Sequence, residues 1–128
     1  MSITLTALYG AILALIIVAL GINVTVHRVK LKVPLGDGGN KEMLRMIRLH
    51  GNAVEYVPLA IVMMAIYEIN GGSHLALHII GVALIAGRLI QTAAMWSTEI
   101  AGPGRGTGQT LTWLSIAGLA VLNLTKVI

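Results

Sequence analysis

Arg45-Met-Ile-Arg-Leu-His-Gly-Asn-Ala-Val-Glu-Tyr-Val-Pro-Leu-Ala-Ile-Val-Met-Met-Ala-Ile-Tyr67 is the stretch whose reading decides the fold. From Val57 onward it holds no charge at all, while its first half is mixed. On a helix, Arg48, Asn52 and Glu55 fall at i, i+4 and i+7 on one face, with Arg45 close to the same stripe. Met46, Leu49, Ala53 and Val57 line the opposite face. A cation, an amide and a carboxylate are therefore stacked in line where an otherwise apolar helix begins. Ionisable groups at membrane depth cost about 2.5–3.5 kcal/mol each on insertion scales, so they face a partner or a cavity. Spacing alone leaves two readings level: pairing with neighbouring helices to hold a bundle together, or a ligand site.

The rest of the chain settles what kind of helix this is. Of 128 residues, 56% are hydrophobic and 11% charged, with a mean hydropathy of +0.86. A soluble domain this short carries more charged surface. Residues 1–26, 57–67, 69–87 and 106–125 contain no Asp, Glu, Lys or Arg. A bilayer core needs about 20 apolar residues per helix. With their flanks these runs predict four spans, at residues 4–26, 44–69, 74–95 and 109–127. The expected fold is all-α: an integral membrane four-helix bundle, one domain over residues 1–128, with short connections. The first run reads as a span, because it lacks the basic n-region, short h-region and cleavage site of a signal peptide. There is no cysteine, so thiol chemistry would need a thiol brought in by a ligand.

Charge gives the orientation. Arg28, Lys30, Lys32, Lys41, Arg45 and Arg48 cluster around the first connection, and Arg105 falls in the third. Only Lys126 belongs to the other side. The positive-inside rule then predicts both connections in the cytoplasm and both termini on the non-cytoplasmic side. The net charge of +4 is thus a topology signal. With little soluble area and no phenylalanine, it is not a nucleic-acid footprint.

Several local features add expectations. Ala7, Gly10, Ala11 and Ala14 give the first helix a small-residue face for close helix approach, as do Ala83 and Gly87 on the third. Asn40 reads as an N-cap, and Pro58 as a kink beside the polar stripe. His74 and His78 have the i, i+4 spacing that can hold zinc, but with no third ligand nearby they read as interfacial residues. Arg88 is the deepest cation of the third helix. Glu55 is the carboxylate at comparable depth, so an Arg88–Glu55 pair is expected. Residues 101–108, glycine-rich and without the Gly-Lys-Ser/Thr of a P-loop, are expected to form a flexible turn that presents Arg105.

Arg48-Leu-His50-Gly-Asn52-Ala-Val-Glu55-Tyr56-Val-Pro58, together with Gly87-Arg88-Leu and Pro103-Gly-Arg105, resembles the MAPEG family (membrane-associated proteins in eicosanoid and glutathione metabolism). The R-x-H-x-N-x-x-E core resembles its microsomal glutathione transferase branch, and the short connections a bacterial, inner-membrane member. The resemblance covers essentially the whole chain. It implies a homotrimer that binds glutathione, as thiol co-substrate, between subunits on the cytoplasmic side. Carried over by position, it implies that Arg48, Asn52, Glu55 and Tyr56 bind glutathione, with Arg28 assisting. Arg88 and Gln91 of the third helix join them, and Arg105 faces the sulfur. Where several eukaryotic members carry aromatic or histidine side chains, this chain has Gln91 and Met95. The residue chemistry agrees with the ligand. Two carboxylates and an ammonium call for arginines plus one carboxylate, and a cation beside a thiol lowers its pKa.

The function that follows is a glutathione transferase or peroxidase acting on small hydrophobic electrophiles delivered from membrane lipid. A non-catalytic relative that binds a different anionic ligand is the alternative. A transporter using Glu55 and Arg88 as a relay is disfavoured, because the chain has no internal repeat and no pair of broken helices.

Overall fold

A computed structural model describes residues 2–97 and 103–128. The apolar runs form four helices: α1 (Thr4–Leu31), α2 (Lys41–Ile69), α3 (His74–Trp96) and α4 (Pro103–Val127). The shortest, α3, has 23 residues. At about 1.5 Å per residue it spans about 35 Å, more than the roughly 30 Å of a hydrocarbon core. All four are long and apolar enough to cross a membrane. Among the described residues α1 packs on α2 and α3, α4 packs on α2 and α3, and α2 meets α3 across the bundle. The main core is Tyr9, Leu13, Val57, Ala60, Met64, Leu77, Leu84 and Leu119. A smaller cluster of Leu20, Leu49, Ala53 and Met95 lies nearer the basic end. Leu15, Val18, Ile22, Leu75, Ile79, Leu114 and Val121 point outward, as lipid-facing residues of a span do.

Two boundaries differ from the sequence expectation. α1 does not stop at Val26 but continues through His27-Arg-Val-Lys-Leu31. Arg28, Lys30 and Leu31 favour helix whether or not the bilayer has ended. The helix closes at Lys32, whose backbone is left-handed (φ 56°), and Pro34 follows. α4 begins at Pro103 rather than Gln109. The expected flexible turn is therefore helical from Pro103 to Gly108; residues 101 and 102 of it lie outside the described residues. Proline suits a first helical turn, and here Gly104 and Gly108 serve contact rather than flexibility. A Cβ on Gly108 would lie 2.5 Å from the Gly87 carbonyl oxygen and 2.8 Å from the Gln91 backbone nitrogen. Only glycine allows α4 to approach α3 so closely. Pro58 lies inside α2, which runs unbroken through it.

The helix ends are satisfied in different ways. Asn40 accepts from Met43 N at 3.0 Å, the cap expected from sequence, and Ser73 accepts from Ala76 N at 3.4 Å. α1 has no side-chain cap of its own. Its first amides donate instead to a carboxylate from α2: Leu5 N to Glu68 Oε1 at 2.9 Å and Thr6 N to Glu68 Oε2 at 2.8 Å. Glu68 thereby ties α1 to the far end of α2. Hydrogen bonds to a charged group contribute about 1.5–3 kcal/mol. Glu68→Ala is accordingly expected to lower stability by about 2 kcal/mol, with Glu68→Gln less damaging because it keeps an acceptor. Thermal unfolding in mild detergent tests this; an unchanged midpoint for the alanine variant would show that solvent satisfies those amides equally well.

The fold also defines two ends. Glu68 meets the start of α1, and Lys126 Nζ reaches Gly71 O at 2.8 Å. Both termini and the α2–α3 turn thus share one end, while the basic cluster occupies the other.

Candidate functional site

The stripe foreseen on α2 is formed. Arg48 Nη2 donates to Asn52 Oδ1 at 3.0 Å, and Arg48 Nη1 lies 3.5 Å from Glu55 Oε1. Both charged side chains are about half exposed, at 48% and 51%. They open into a cleft of about 400 Å³ between α2 and α4, within the range of small-molecule sites. α2 contributes Arg48, Asn52, Glu55 and Tyr56, α3 contributes Gln91, and α4 contributes Arg105. Six of the sequence-derived site residues therefore line a single cleft. Tyr56 and Trp113 stand edge to face, ring centroids 6.4 Å apart, at one margin.

The first turns of α4 add Gly106, Gln109, Thr110 and Trp113 to the lining. None of these four is among the residues expected from sequence at the site, although Gln109, Thr110 and Trp113 fall within the expected fourth span. The signal was present: they recur at i, i+3, i+4 and i+7, one helical face.

Arg88 departs from expectation. The predicted Arg88–Glu55 pair is not formed. Arg88 is 2% exposed and directs Nη2 to α4, to Thr112 Oγ1 at 2.6 Å, Gly108 O at 3.4 Å and Gln109 Oε1 at 3.4 Å. The close α3–α4 approach at Gly87 and Gly108 brings those acceptors within hydrogen-bond reach of the guanidinium. Glu55, meanwhile, is held by Arg48 on its own helix. Arg88 thus stands behind the cleft wall and anchors α4. Gln91 belongs to the same network, donating to Gln109 Oε1 at 3.4 Å. Gln91 Oε1 and Gln109 Nε2 are left buried without a partner, an acceptor and a donor beside the cleft.

Other residues lie elsewhere. Within one chain Arg28 does not reach the cleft; it donates to Val33 O at 3.3 Å and Gly36 O at 2.8 Å, closing the α1–α2 connection. Met95 is buried with Leu20, Leu49 and Ala53, so of the two departures on α3 only Gln91 faces the cleft. His78 Nδ1 meets the Tyr9 hydroxyl at 2.7 Å. No group of three candidate metal ligands occurs among the described residues.

In chemical terms the cleft offers two guanidinium groups, one carboxylate, amides and an aromatic margin. That set can hold a zwitterionic ligand with more than one carboxylate.

Comparison with known proteins agrees with the architecture. A family model described as "MAPEG family" matches residues 6–125. Over 119 residues the chain is 37% identical to "Inner membrane protein YecN" of Escherichia coli K12, covering 93% of this chain and 89% of that protein. "Inner membrane protein YecN" of Escherichia coli O6:H1 matches to the same extent.

Proposed function

Because this chain belongs to the MAPEG family, we propose that it is a membrane glutathione transferase with peroxidase-like capacity. The observation that carries the reading is the convergence of Arg48, Asn52, Glu55 and Arg105 in one cleft. Glutathione has two carboxylates and one ammonium; Arg48 would take a carboxylate and Glu55 the ammonium. The orphaned amide atoms of Gln91 and Gln109 offer a donor and an acceptor of the kind a peptide link requires. Bound glutathione supplies the thiol that attacks a hydrophobic electrophile. Arg105 holds positive charge at the cleft and favours the ionised sulfur. Tyr56 and Trp113 shield one margin from water and offer an aromatic surface to a substrate arriving from lipid.

The proposed assembly is a homotrimer with the ligand between subunits. A groove supports this: Ala7, Gly10, Ala11 and Ala14 of α1, with Pro58 and Ile61 of α2, line an open apolar surface on which another helix can approach closely. A neighbouring copy would supply Arg28. Placement in a bacterial inner membrane rests on the relatives' description, and termini on the non-cytoplasmic side on the charge distribution.

Glutathione titration of the purified protein tests the reading, with thiolate absorbance and conjugation to an aromatic halide as readouts. Saturable binding with turnover is expected; absence of binding overturns it. Arg48→Ala should weaken binding by about 10- to 100-fold, the worth of a charge-assisted contact. One feature favours a second reading, a non-catalytic protein that binds a different anionic ligand: Met95 is packed with Leu20, Leu49 and Ala53, at a position where the resemblance implies aromatic or histidine side chains in several eukaryotic members. Binding without any conjugation or peroxide reduction would select that reading.

A further inference from the structure

A second, smaller cavity opens at the basic end, next to the cleft. α2 brings Lys41, Arg45 and Arg48 to it, α4 brings Arg105, and Leu44 and Met95 form its apolar wall. Its volume is about 160 Å³, roughly half of the 300 Å³ at which small-molecule sites begin. It suits a compact group rather than a whole substrate. The acidic residues described at this end offset only one of these four cations. Glu42 lies 3.4 Å from His27 and 4.0 Å from Lys30, Glu55 pairs with Arg48, and Asp37 accepts from Gly39 N; Glu99 lies outside the described residues. Among the described residues Lys41, Arg45 and Arg105 have no carboxylate partner, and Arg45 Nε is buried without an acceptor. Lys41, Arg45 and Arg105 repel one another around one small cavity, Arg48 being offset by Glu55, and the repulsion is relieved by an anion held among them.

We infer that this cavity binds a phosphate-class oxyanion, supplied by the headgroup of an anionic phospholipid in the leaflet at the basic end. Guanidinium forks match the oxygen geometry of a phosphate, and lysine adds a point charge. Basic pockets between spanning helices at this level of a membrane hold anionic headgroups. Leu44, 44% exposed, leads from the cavity to the outer surface of the bundle, where a lipid's glycerol and chains would continue. The inference does not depend on which ligand fills the larger cleft. Arg48 and Arg105 nevertheless line both spaces, so an anion in one changes the charge available to the other.

The test uses the whole protein in phosphatidylcholine nanodiscs, with or without phosphatidylglycerol, and separately with inorganic phosphate. Lipid retained on the protein is read by native mass spectrometry and stability by the unfolding midpoint. Wild type should retain phosphatidylglycerol over phosphatidylcholine and melt higher in its presence. The double variant Lys41→Ala/Arg45→Ala should lose about tenfold or more of that retention. Lys30→Ala/Lys32→Ala, outside the cavity, should lose far less. If the alanine pair aggregates, Lys41→Gln/Arg45→Gln, which keeps side-chain length, carries the same comparison. A midpoint rise with inorganic phosphate alone, abolished by the cavity variants, keeps the oxyanion site and assigns it to free phosphate. The inference is overturned if wild type prefers neither anion, if the cavity variants bind like wild type, or if the Lys30/Lys32 variant loses as much, which marks diffuse attraction.

Discussion

Arg105→Ala is expected to bind glutathione within a few-fold of wild type and yet to lose most of its activity at neutral pH. Arg105 enters the cleft from the first turns of α4, away from the Arg48–Asn52–Glu55 stripe proposed to clamp the ligand's charged ends. Its proposed work is on the sulfur. A free thiol has a pKa near 8.5, and a neighbouring cation lowers it because the charged thiolate gains an attraction that the thiol lacks. Removing the cation returns the pKa upward by about one to two units, or about 1.4–2.7 kcal/mol of thiolate stabilisation. At pH 7 that is a fall of roughly 10- to 30-fold in the reactive form, and the rate should follow. Lysine at this position should restore part of the effect, since a point charge suffices for a sulfur but not for a forked carboxylate contact. Thiolate absorbance at saturating glutathione across pH is the measurement. An unshifted thiol in Arg105→Ala would leave the protein a binder.

Arg88→Ala should be the most destabilising single change, and Glu55→Gln among the mildest, although both residues are charged and both lie within spans. Arg88 is almost fully buried and its guanidinium joins Thr112, Gly108 and Gln109 of α4. Truncation leaves a cavity the size of a long side chain and strips several buried acceptors of their donor, together about 3–5 kcal/mol. The half-exposed Arg48–Glu55 contact contributes at most about 1 kcal/mol. Glu55→Gln should therefore unfold near the wild-type midpoint while losing ligand affinity through the missing partner for the ammonium. Thermal unfolding and glutathione titration on the same two variants separate the roles. Equal destabilisation would restore the Arg88–Glu55 pairing that the helix geometry replaces.

The contrast shows which parts of this protein could be read from residues alone. Charge-free runs announce spans without ambiguity, because length and hydropathy are properties of a single segment. The Arg48–Asn52–Glu55 stripe was equally legible, since i, i+4 and i+7 positions on one helix meet whatever surrounds them. Arg88 was not. Its partner depended on how near α4 comes to α3, which Gly87 and Gly108 decide through backbone contact. The same contact hid the start of α4: helix propensity counts Gly104, Gly106 and Gly108 as breakers, and only the packed α3 shows what Gly104 and Gly108 are for. Of the four α4 residues that line the cleft, that contact accounts for Gly106 alone; Gln109, Thr110 and Trp113 were already expected within a helix.

Glu68 has a consequence for the order in which the protein can be assembled. The amide of Thr6 finds its acceptor 62 residues further along the chain. While α1 is being synthesised its leading turn has nothing to bind except water or headgroups, and it remains so until α2 is complete. The first element able to settle as a finished unit is consequently the α1–α2 hairpin, not α1 alone. On the proposed topology, with the termini on the non-cytoplasmic side, the Glu68 carboxylate would itself be carried across the bilayer before it could meet those amides. Biogenesis then favours delivery of the two helices as a pair, with the start of α1 serving as the receptor that retains α2.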